Sequence, residues 1–579
     1  MRARQLGYRA GVLAHQTERP STPITLLSEV YMSEQHSRSL HQSPPPKHRR
    51  AAALVVLAAV FSVLLAVPSA SVHAATVPFR LNNPCPAPPV ATVFAHVRQV
   101  PASYPTIQAA VNAAQPGDLV SIAPGRYHEA VKVWTPNLTI RGQDRNGVIL
   151  DGQFATDATN GLLVYADNVV VENMTARDYL SNGFYWHAVV GYRGSYLTAY
   201  DNGDYGIYTL HSRCGQFDHS YASGSPDSGF YIGECFPCDA VITHVTSEWN
   251  ALGYSGTNSG GNLILRDSIW RHNGAGILPN TLDSEKLAPE RGTTIVDNLV
   301  TDNGEPNVPA FALQRPGAGV GIGLPGGNLN YVANNTVARN RAYGILVLPN
   351  LDANFWLASG NVVVNNTVSG SGIADVALAA PAGADNCYSG NSGTRTLPPL
   401  LQVTHACGSP LAHTGGGDPS IAFRLLQAFV FVQGPNYHER DFRTVPAPPA
   451  QANMPDVNAP PAPALVDALT LTASGLPSGV STADDDVLVP LGFNGLTISQ
   501  LLLSFYFNTL FFALYAAWLV IATLDLLART TLSERTRIGW LLVVLALPIL
   551  GPLAYYILGR RAKPASQPGA PVSATGRTP

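Results

Sequence analysis

Charge is scarce in this 579-residue chain, where Asp, Glu, Lys and Arg together make up 13%, against about 25% in typical soluble domains. Lysine is nearly missing: Lys47, Lys132, Lys286 and Lys563 are the four among 35 basic residues, and the formal net charge is −3. No basic patch of the kind that neutralises phosphates is present, which excludes nucleic acid as a partner. Helical periodicity is also missing from the middle of the chain, so helical solenoids with repeats of about 33 to 47 residues do not fit, and no recurring Leu frame supports a leucine-rich repeat.

What the middle of the chain does have is a column of glycines. Gly183, Gly206, Gly229, Gly253, Gly276, Gly321, Gly344 and Gly372 fall at steps of 23, 23, 24, 23, 45, 23 and 28 residues. An apolar side chain follows each: Phe184, Ile207, Phe230, Tyr254, Ile277, Ile322, Ile345 and Ile373. Short Val, Ile, Thr and Tyr runs alternate with Asn, Asp, Ser and Gly between them, which reads as strand and turn. At roughly 3.3 Å per residue, about 23 residues are too few for a strand and a crossover helix and suit three short strands with three turns. The expected fold is all-β, a right-handed parallel β-helix solenoid. The 45-residue step hides either a rung with a degenerate glycine or a loop insertion near 280–316.

Lys47-His48-Arg49-Arg50, an apolar run from Ala51 to Val67, and Val72-His73-Ala74 read as a secretory signal peptide, with initiation at Met32 giving it an ordinary length and an uncleaved anchor as the alternative. Six cysteines agree with export. Cys214 and Cys238 are one rung apart, so a disulfide between them is geometrically plausible, and Cys387 with Cys407 could close the far end. Cys235-x-x-Cys238 lacks the second pair or clustered His that a metal site needs.

Just before the repeats stand Tyr104-Pro105-Thr106-Ile107-Gln108-Ala109-Ala110-Val111, then Pro116-Gly117-Asp118 and Pro124-Gly125-Arg126-Tyr127-His128-Glu129. This stretch resembles the opening segment of the pectin-lyase-like right-handed β-helix superfamily, and the resemblance covers about residues 99–405. A short helix with Ile107 and Val111 on one face would cover the open end of the coil. The superfamily includes pectate lyases, galacturonases, alginate epimerases and non-catalytic proteins, so the resemblance implies fold more than activity. The Asp-Pro-His signature of the epimerases and the paired aspartates of the galacturonases are absent.

Pro and Ala clusters follow, including Val445-Pro446-Ala447-Pro448-Pro449-Ala450, and read as an extended linker, with 421–433 apolar enough to pack on the last rung. Two apolar stretches, 501–527 and 538–558, are membrane-span candidates. Trp518 to Leu527 with Leu547-Pro548-Ile549-Leu550-Gly551-Pro552 and Gly559-Arg560 is similar to the two-helix hairpin at the N-terminus of cardiolipin synthases and phospholipase-D-like proteins; with no His-x-Lys motif, it implies an anchor. The expected organisation is an N-terminal extension and signal peptide (1–74), short linker (75–98), β-helix (99–407), linker (408–497), transmembrane helical hairpin (498–559) and disordered basic tail (560–579). The protein would sit at the cell membrane with its β-helix outside the cytoplasm. Arg560, Arg561 and Lys563 would then lie outside, against the positive-inside rule.

Strand alternation from the glycine column turns Tyr185, Tyr208 and Tyr231 outward on consecutive rungs. Asp204 and Asp227 stack two places before the glycines, and His211, Glu234 and Asn258 five places after. Carboxylates on adjacent rungs, about 5 Å apart, repel unless one is protonated or a cation such as calcium lies between them. The expected site therefore has Asp204, Asp227, Glu234 and His211 as catalytic candidates and Tyr185, Tyr208, Tyr231 and Asn258 as substrate contacts; no cofactor other than calcium is suggested. Arg213 is the nearest cation. His219, His244 and Glu248 read as structural, and Asn334-Asn335 and Asn365-Asn366 as amide ladders at turns. The partner would be a polysaccharide or cell-envelope glycan, acted on by a lyase, epimerase or hydrolase, or bound by a non-catalytic rod.

Overall fold

A computed structural model describes Cys85 and residues 92–311, 317–432, 440–466, 518, 520–526, 534–546 and 555. The N-terminal extension, the basic tail and most of both membrane candidates lie outside the described residues. Short strands stack in parallel in three columns. One column is an eleven-stranded sheet: β1 (Val131–Val133), β2 (Leu162–Val164), β3 (Phe184–His187), β4 (Tyr205–Leu210), β5 (Ser228–Gly233), β6 (Leu252–Thr257), β7 (Ala275–Asn280), β8 (Val320–Pro325), β9 (Tyr343–Leu348), β10 (Ala374–Leu378) and β11 (Thr396–Leu397). The other two columns merge into one sheet because long strands such as Val190–Tyr200 run around the corner between them. Each full rung thus has three strand segments and three turns.

The glycines are required by backbone approach. A β-carbon on Gly183 would lie 2.7 Å from the Gly206 carbonyl oxygen, one on Gly206 2.6 Å from that of Gly229, and one on Gly253 2.6 Å from that of Gly276. Such separations are shorter than any side chain tolerates, so the rungs can close up only where no side chain exists. The residue after each glycine then points inward: Phe184, Ile207, Phe230, Tyr254, Ile277, Ile322 and Ile345 are in register and fully buried. Each contributes about 1.5–3 kcal/mol by burial. The eighth member of the expected column is displaced. Ile345 pairs with Val376, not Ile373, because a small hairpin (Asn350–Leu351 against Phe355–Trp356) lengthens that rung. Ile277 pairs directly with Ile322, so the long step is a single rung carrying two insertions, at 281–290 and 302–319.

Helix α1 (Ile107–Ala113) buries Ile107, Ala110 and Val111 at the open end of the coil. Thr106 caps it, its hydroxyl accepting from Ala109 N, and the Glu129 carboxylate accepts from the Ile107 and Gln108 N–H groups, both at 2.9 Å. These acceptors satisfy donors that a helix start otherwise leaves open.

Buried amides line two turns. Along one, the N–H groups of Asn250, Asn273 and Asn303 each donate to the side-chain oxygen of the next residue in the series, ending on Asn340 (3.0, 3.1 and 3.1 Å). Along the other the series is Asn298, Asn335, Asn366 and Asn391. Asn335 and Asn366 thus form a ladder, while Asn334 and Asn365 take the left-handed turn positions beside it. His219 and His244 occupy earlier positions of that turn column and stack ring on ring at 5.0 Å. Glu248 accepts from Tyr221 Oη and Arg271 Nε.

The cysteine pairing differs from the expected one in part. Cys387 bonds Cys407, as expected, but Cys214 bonds Cys85, and Cys235 bonds Cys238. Gly215 pairs with Ala240, so Cys214 aligns with Asp239 and is one place off Cys238. A one-residue offset puts side chains on opposite faces; Cys238 turns into the core, and Cys214 meets the N-terminal segment.

The Pro/Ala-rich segment is extended, but it is laid on the β-helix as a strap. Buried Arg141 donates to the Val457 and Ala459 carbonyls, buried Arg145 to that of Ala452, and Met454 N to Asn173 Oδ1. Gln451 and Asn146 exchange hydrogen bonds, and Val466 N reaches Gln216. Arg145 has no carboxylate among its hydrogen-bond partners; burial lowers it to about 10. Farther on, Ala522, Leu526, Val544 and Tyr555 form a small cluster, with Tyr555 Oη donating to Asp525 at 2.8 Å. Among the described residues no helix is long and apolar enough to cross a membrane.

Replacing Asn335 by Ala strands partners on both neighbouring rungs and is expected to cost about 1–3 kcal/mol, seen as a lower urea midpoint; an unchanged midpoint would show that the ladder contributes nothing. Peptide mapping without reduction is expected to recover Cys85 linked to Cys214, and recovery of a Cys214–Cys238 peptide would contradict the register given above.

Candidate functional site

The outer face of the eleven-stranded sheet carries aromatic side chains across five rungs. Tyr185, Tyr208 and Tyr231 are in register on β3, β4 and β5. Trp134 and Tyr165 directly follow β1 and β2, in line with His187 at the end of β3. The rings form a continuous track. Trp134 stacks on Tyr165 at 4.3 Å and 11°, Tyr165 meets His187 edge-on at 5.8 Å, and His187 meets Tyr185 at 5.5 Å. Tyr185 stacks on Tyr208 at 4.3 Å, Tyr208 on Tyr205 at 4.4 Å, and Tyr208 meets Tyr231 at 5.1 Å.

Exposure falls along the track: Trp134 is 65% exposed, Tyr208 6% and Tyr231 3%. Outward orientation of the tyrosines is as expected from the glycine register, but Tyr208 and Tyr231, expected as substrate contacts, are buried. The reason lies in the two insertions. Residues 281–290 fold back so that Glu285 Oε1 accepts from Tyr231 Oη at 3.1 Å. In the second insertion, Phe311 N bonds the Pro226 carbonyl and Ala310 packs with Ala251, Leu252 and Ala275.

Of the expected site residues, Asn258 is committed to structure. It is buried, and its amide pairs with the Leu282 backbone in both directions, at 2.7 and 3.1 Å. Glu234 also anchors the loop, one oxygen accepting from Lys286 N at 2.7 Å and Leu287 N at 2.8 Å. His211, Glu234 and Asn258 share one left-handed turn column, with φ of 56°, 51° and 48°, a conformation costly for His and Glu that the surrounding hydrogen bonds enforce. Arg213 is not part of the track; it lies against Cys214.

Asp204 and Asp227 immediately precede β4 and β5 and are half-buried. Burial and the Asp227 charge push Asp204 well above the usual carboxylate range. Carboxylates also adjoin at Asp178 and Asp201 and at Asp267 and Asp297, but there Arg177 and Arg266 offset part of the repulsion. Among the described residues no cation offsets the rise at Asp204. Among the described residues the one group of three acidic, His or Cys side chains close enough to share an ion is Cys85, Cys214 and Asp239.

Glu285 was not visible as a site residue in the sequence, because only the folded insertion brings it to Tyr231. Burial, then the Glu234 charge, push it up to about 9. Burial and neighbouring His211 lower His187 to about 4, and its Nδ1 lies 2.6 Å from the Tyr185 hydroxyl. His211 is also lowered, mainly by burial. At neutral pH the track thus holds a neutral His187 imidazole and a protonated Glu285, groups able to donate a proton or a hydrogen bond, with Asp204 pushed in the same direction as Glu285. Trp134 and Tyr165 were legible in principle, since Gly161 heads the same glycine column: a β-carbon there would lie 2.6 Å from the Gly183 carbonyl.

Residues 182–368 match the family model of the right-handed β-helix region, and residues 514–560 match that of the phospholipase D-nuclease N-terminal segment. No curated protein matches the chain. Among solved structures, the chain is similar to the Azotobacter vinelandii mannuronan C-5 epimerase AlgE4 A-module (15% identity, 49% of this chain and 89% of that one, TM-score 0.36). It is also similar to an alginate lyase from Paenibacillus sp. (18%, 51% and 98%, 0.35) and to the DFA-IIIase of Arthrobacter chlorophenolicus (13%, 47% and 84%, 0.34).

The proton on Glu285 sets a pH dependence. Folding holds it more tightly than the unfolded chain, where a glutamate titrates near about 4.3. The contribution of Glu285 to stability is therefore most favourable below that value and declines as pH rises towards about 9, above which the full penalty applies. Thermal unfolding is expected to show this decline, with a flatter profile for Glu285→Gln; identical profiles would contradict the assignment.

Proposed function

We propose that the protein binds a polysaccharide along the aromatic track and processes it at the covered end, where Asp204, Asp227 and Glu285 gather. The observation that carries this reading is the course of the track, from exposed Trp134 inward to Tyr231 and the carboxyl cluster. Flat rings offer apolar faces to sugar C–H groups, and their hydroxyls and the neighbouring carboxyls offer hydrogen bonds. Asp204, its carboxyl pushed up by burial and by Asp227, supplies a general acid for a glycosidic oxygen, and Asp227 is the adjacent base or charge stabiliser. Glu285 and the 281–290 loop wall the site from water, with Glu234 and Asn258 as the loop's anchors. The Tyr185–His187 pair fixes the ring orientation midway along the track.

In the same proposal the protein is exported and held at the membrane by the C-terminal hairpin, with the β-helix outside. The apolar run 51–67 after a basic cluster and the match at 514–560 support this reading. An epitope at Pro579 read from outside intact cells tests the hairpin's sidedness.

A second reading, a rod that binds glycan without changing it, is favoured by the burial of Tyr208 and Tyr231, since Trp134 and Tyr165 are reachable with the loops in place. The Asp204→Asn variant separates the two. Turnover of a susceptible polymer, followed by reducing ends and by absorbance of unsaturated products, is expected to fall at least about 100-fold with binding retained. Trp134→Ala is expected to weaken binding roughly tenfold, about 1.4 kcal/mol. No product from any polymer by the folded protein leaves the rod, and no binding either removes the glycan reading.

A further inference from the structure

The outer face of the eleven-stranded sheet runs on past the tyrosines in both directions, and the two directions differ. Towards the C-terminus the line in register with Tyr231 passes through Ser255 and Leu278 and, on the later rungs, Leu346 and Ala377. Ser255 is 4% exposed, and Leu346 and Ala377 are fully buried. Their cover is helix α2 (Pro419–Val432), whose Ile421 is buried in one cluster with them and whose Leu425 packs on that cluster. Leu278 packs against this cluster and also against the one that holds Ala310 of the second insertion. The insertions fix strand β5 at both ends: Pro226 O, before it, accepts from Phe311 N, and Glu234, after it, accepts from Lys286 N and Leu287 N. Towards the N-terminus the face stays open, with Lys132 of β1 and Trp134 both exposed.

We infer that the track takes a glycan by a chain end: the chain lies over Trp134 and Tyr165, and its terminal sugar halts at Tyr208, where the insertions and then helix α2 close the face. This rests on the proposed glycan reading and adds which part of the polymer is recognised. The interior of a long chain fits a site only if both of its arms have a way out. Here one direction leads to solvated rings and the other to packed side chains. An internal stretch drawn in as far as Tyr208 would have to continue where Glu285 meets Tyr231 at 3.1 Å and where Leu346 and Ala377 already pack against Ile421. Protein interiors are packed too closely to admit a sugar without giving up those contacts. A chain end needs no second exit, and the aromatic faces before Tyr208 suit the sugars that trail behind it. Asp204 directly precedes Tyr205, whose ring stacks on Tyr208 at 4.4 Å, so the linkage brought nearest that carboxyl is the one at the chain end.

The test uses the full chain in detergent and calorimetric binding near pH 7. The probes are linear hexasaccharides of β-1,4-glucose, β-1,3-glucose and β-1,4-mannuronate, each bearing a bulky cap at neither end, at the reducing end, at the non-reducing end or at both. For a sugar that binds uncapped, at least one singly capped form is expected to bind within about threefold of it, and the doubly capped form at least about 30-fold more weakly. Equal binding of the doubly capped and uncapped forms overturns the inference and leaves the glycan reading standing. Loss of binding with either single cap also overturns it, by showing that both ends of the chain are enclosed. Replacing residues 284–288 by Gly-Gly is expected to raise the affinity for the doubly capped form at least about tenfold. Unchanged exclusion by that variant, with its β-sheet circular dichroism intact, would show that the loop is not the stop and overturn the inference. Absence of binding by every uncapped hexasaccharide to the folded, unaltered protein removes the glycan reading and the inference together.

Discussion

The close approach of one glycine to the carbonyl of the glycine on the next rung is the constraint on which this structure depends. With contacts such as 2.7 Å from a hypothetical Gly183 β-carbon to Gly206 O, the spacing of neighbouring strands is set by backbone alone. Every residue then faces its own counterpart at that spacing, about 4.8 Å, and each kind of side chain must be compatible with itself. Aliphatic groups fill the interior, amides satisfy one another donor to acceptor, and aromatic rings stack. Carboxylates are the kind that self-stacking disfavours, and the chain tolerates them chiefly where an arginine lies alongside, as at Asp178 and Asp297. Asp204 stands over Asp227 next to the tyrosines, and there burial and the second carboxylate raise it.

Much of this was legible in the residues because a solenoid writes its register into the sequence. Seven of the eight residues that follow the glycines are core residues, and the amide ladders at Asn335 and Asn366 follow from the same spacing. Where reading failed, the cause was a local change of length or phase. The hairpin at 350–356 moved the last core position from Ile373 to Val376, and a one-residue offset separated Cys214 from Cys238. The 22-residue step from Gly161 to Gly183 was passed over, which hid two of the track's rings. Glu285 had no periodic signal at all, since an insertion is placed by its own contacts: Asn258 with Leu282, Asp283 with Asn354 and Trp356.

Both insertions interrupt one rung, and Glu285 of the first and Phe311 of the second reach back to Tyr231 and Pro226 on the rungs before it, so a regular scaffold is covered at a single place. The rungs towards the N-terminus keep the track open at Trp134. The track is therefore graded along the coil axis, from solvated rings to shielded carboxyls.

The strap adds a consequence for how such a rod can change over evolution. Residues 440–466 are read by Arg141, Arg145, Asn173 and Gln216, so this stretch is held beside the early and middle rungs. A rung gained or lost after Asn366 would lengthen or shorten the far end of the coil and leave those contacts where they are, requiring only a longer or shorter return segment. The length of the coil and the seat of the strap are thereby independent variables in this architecture.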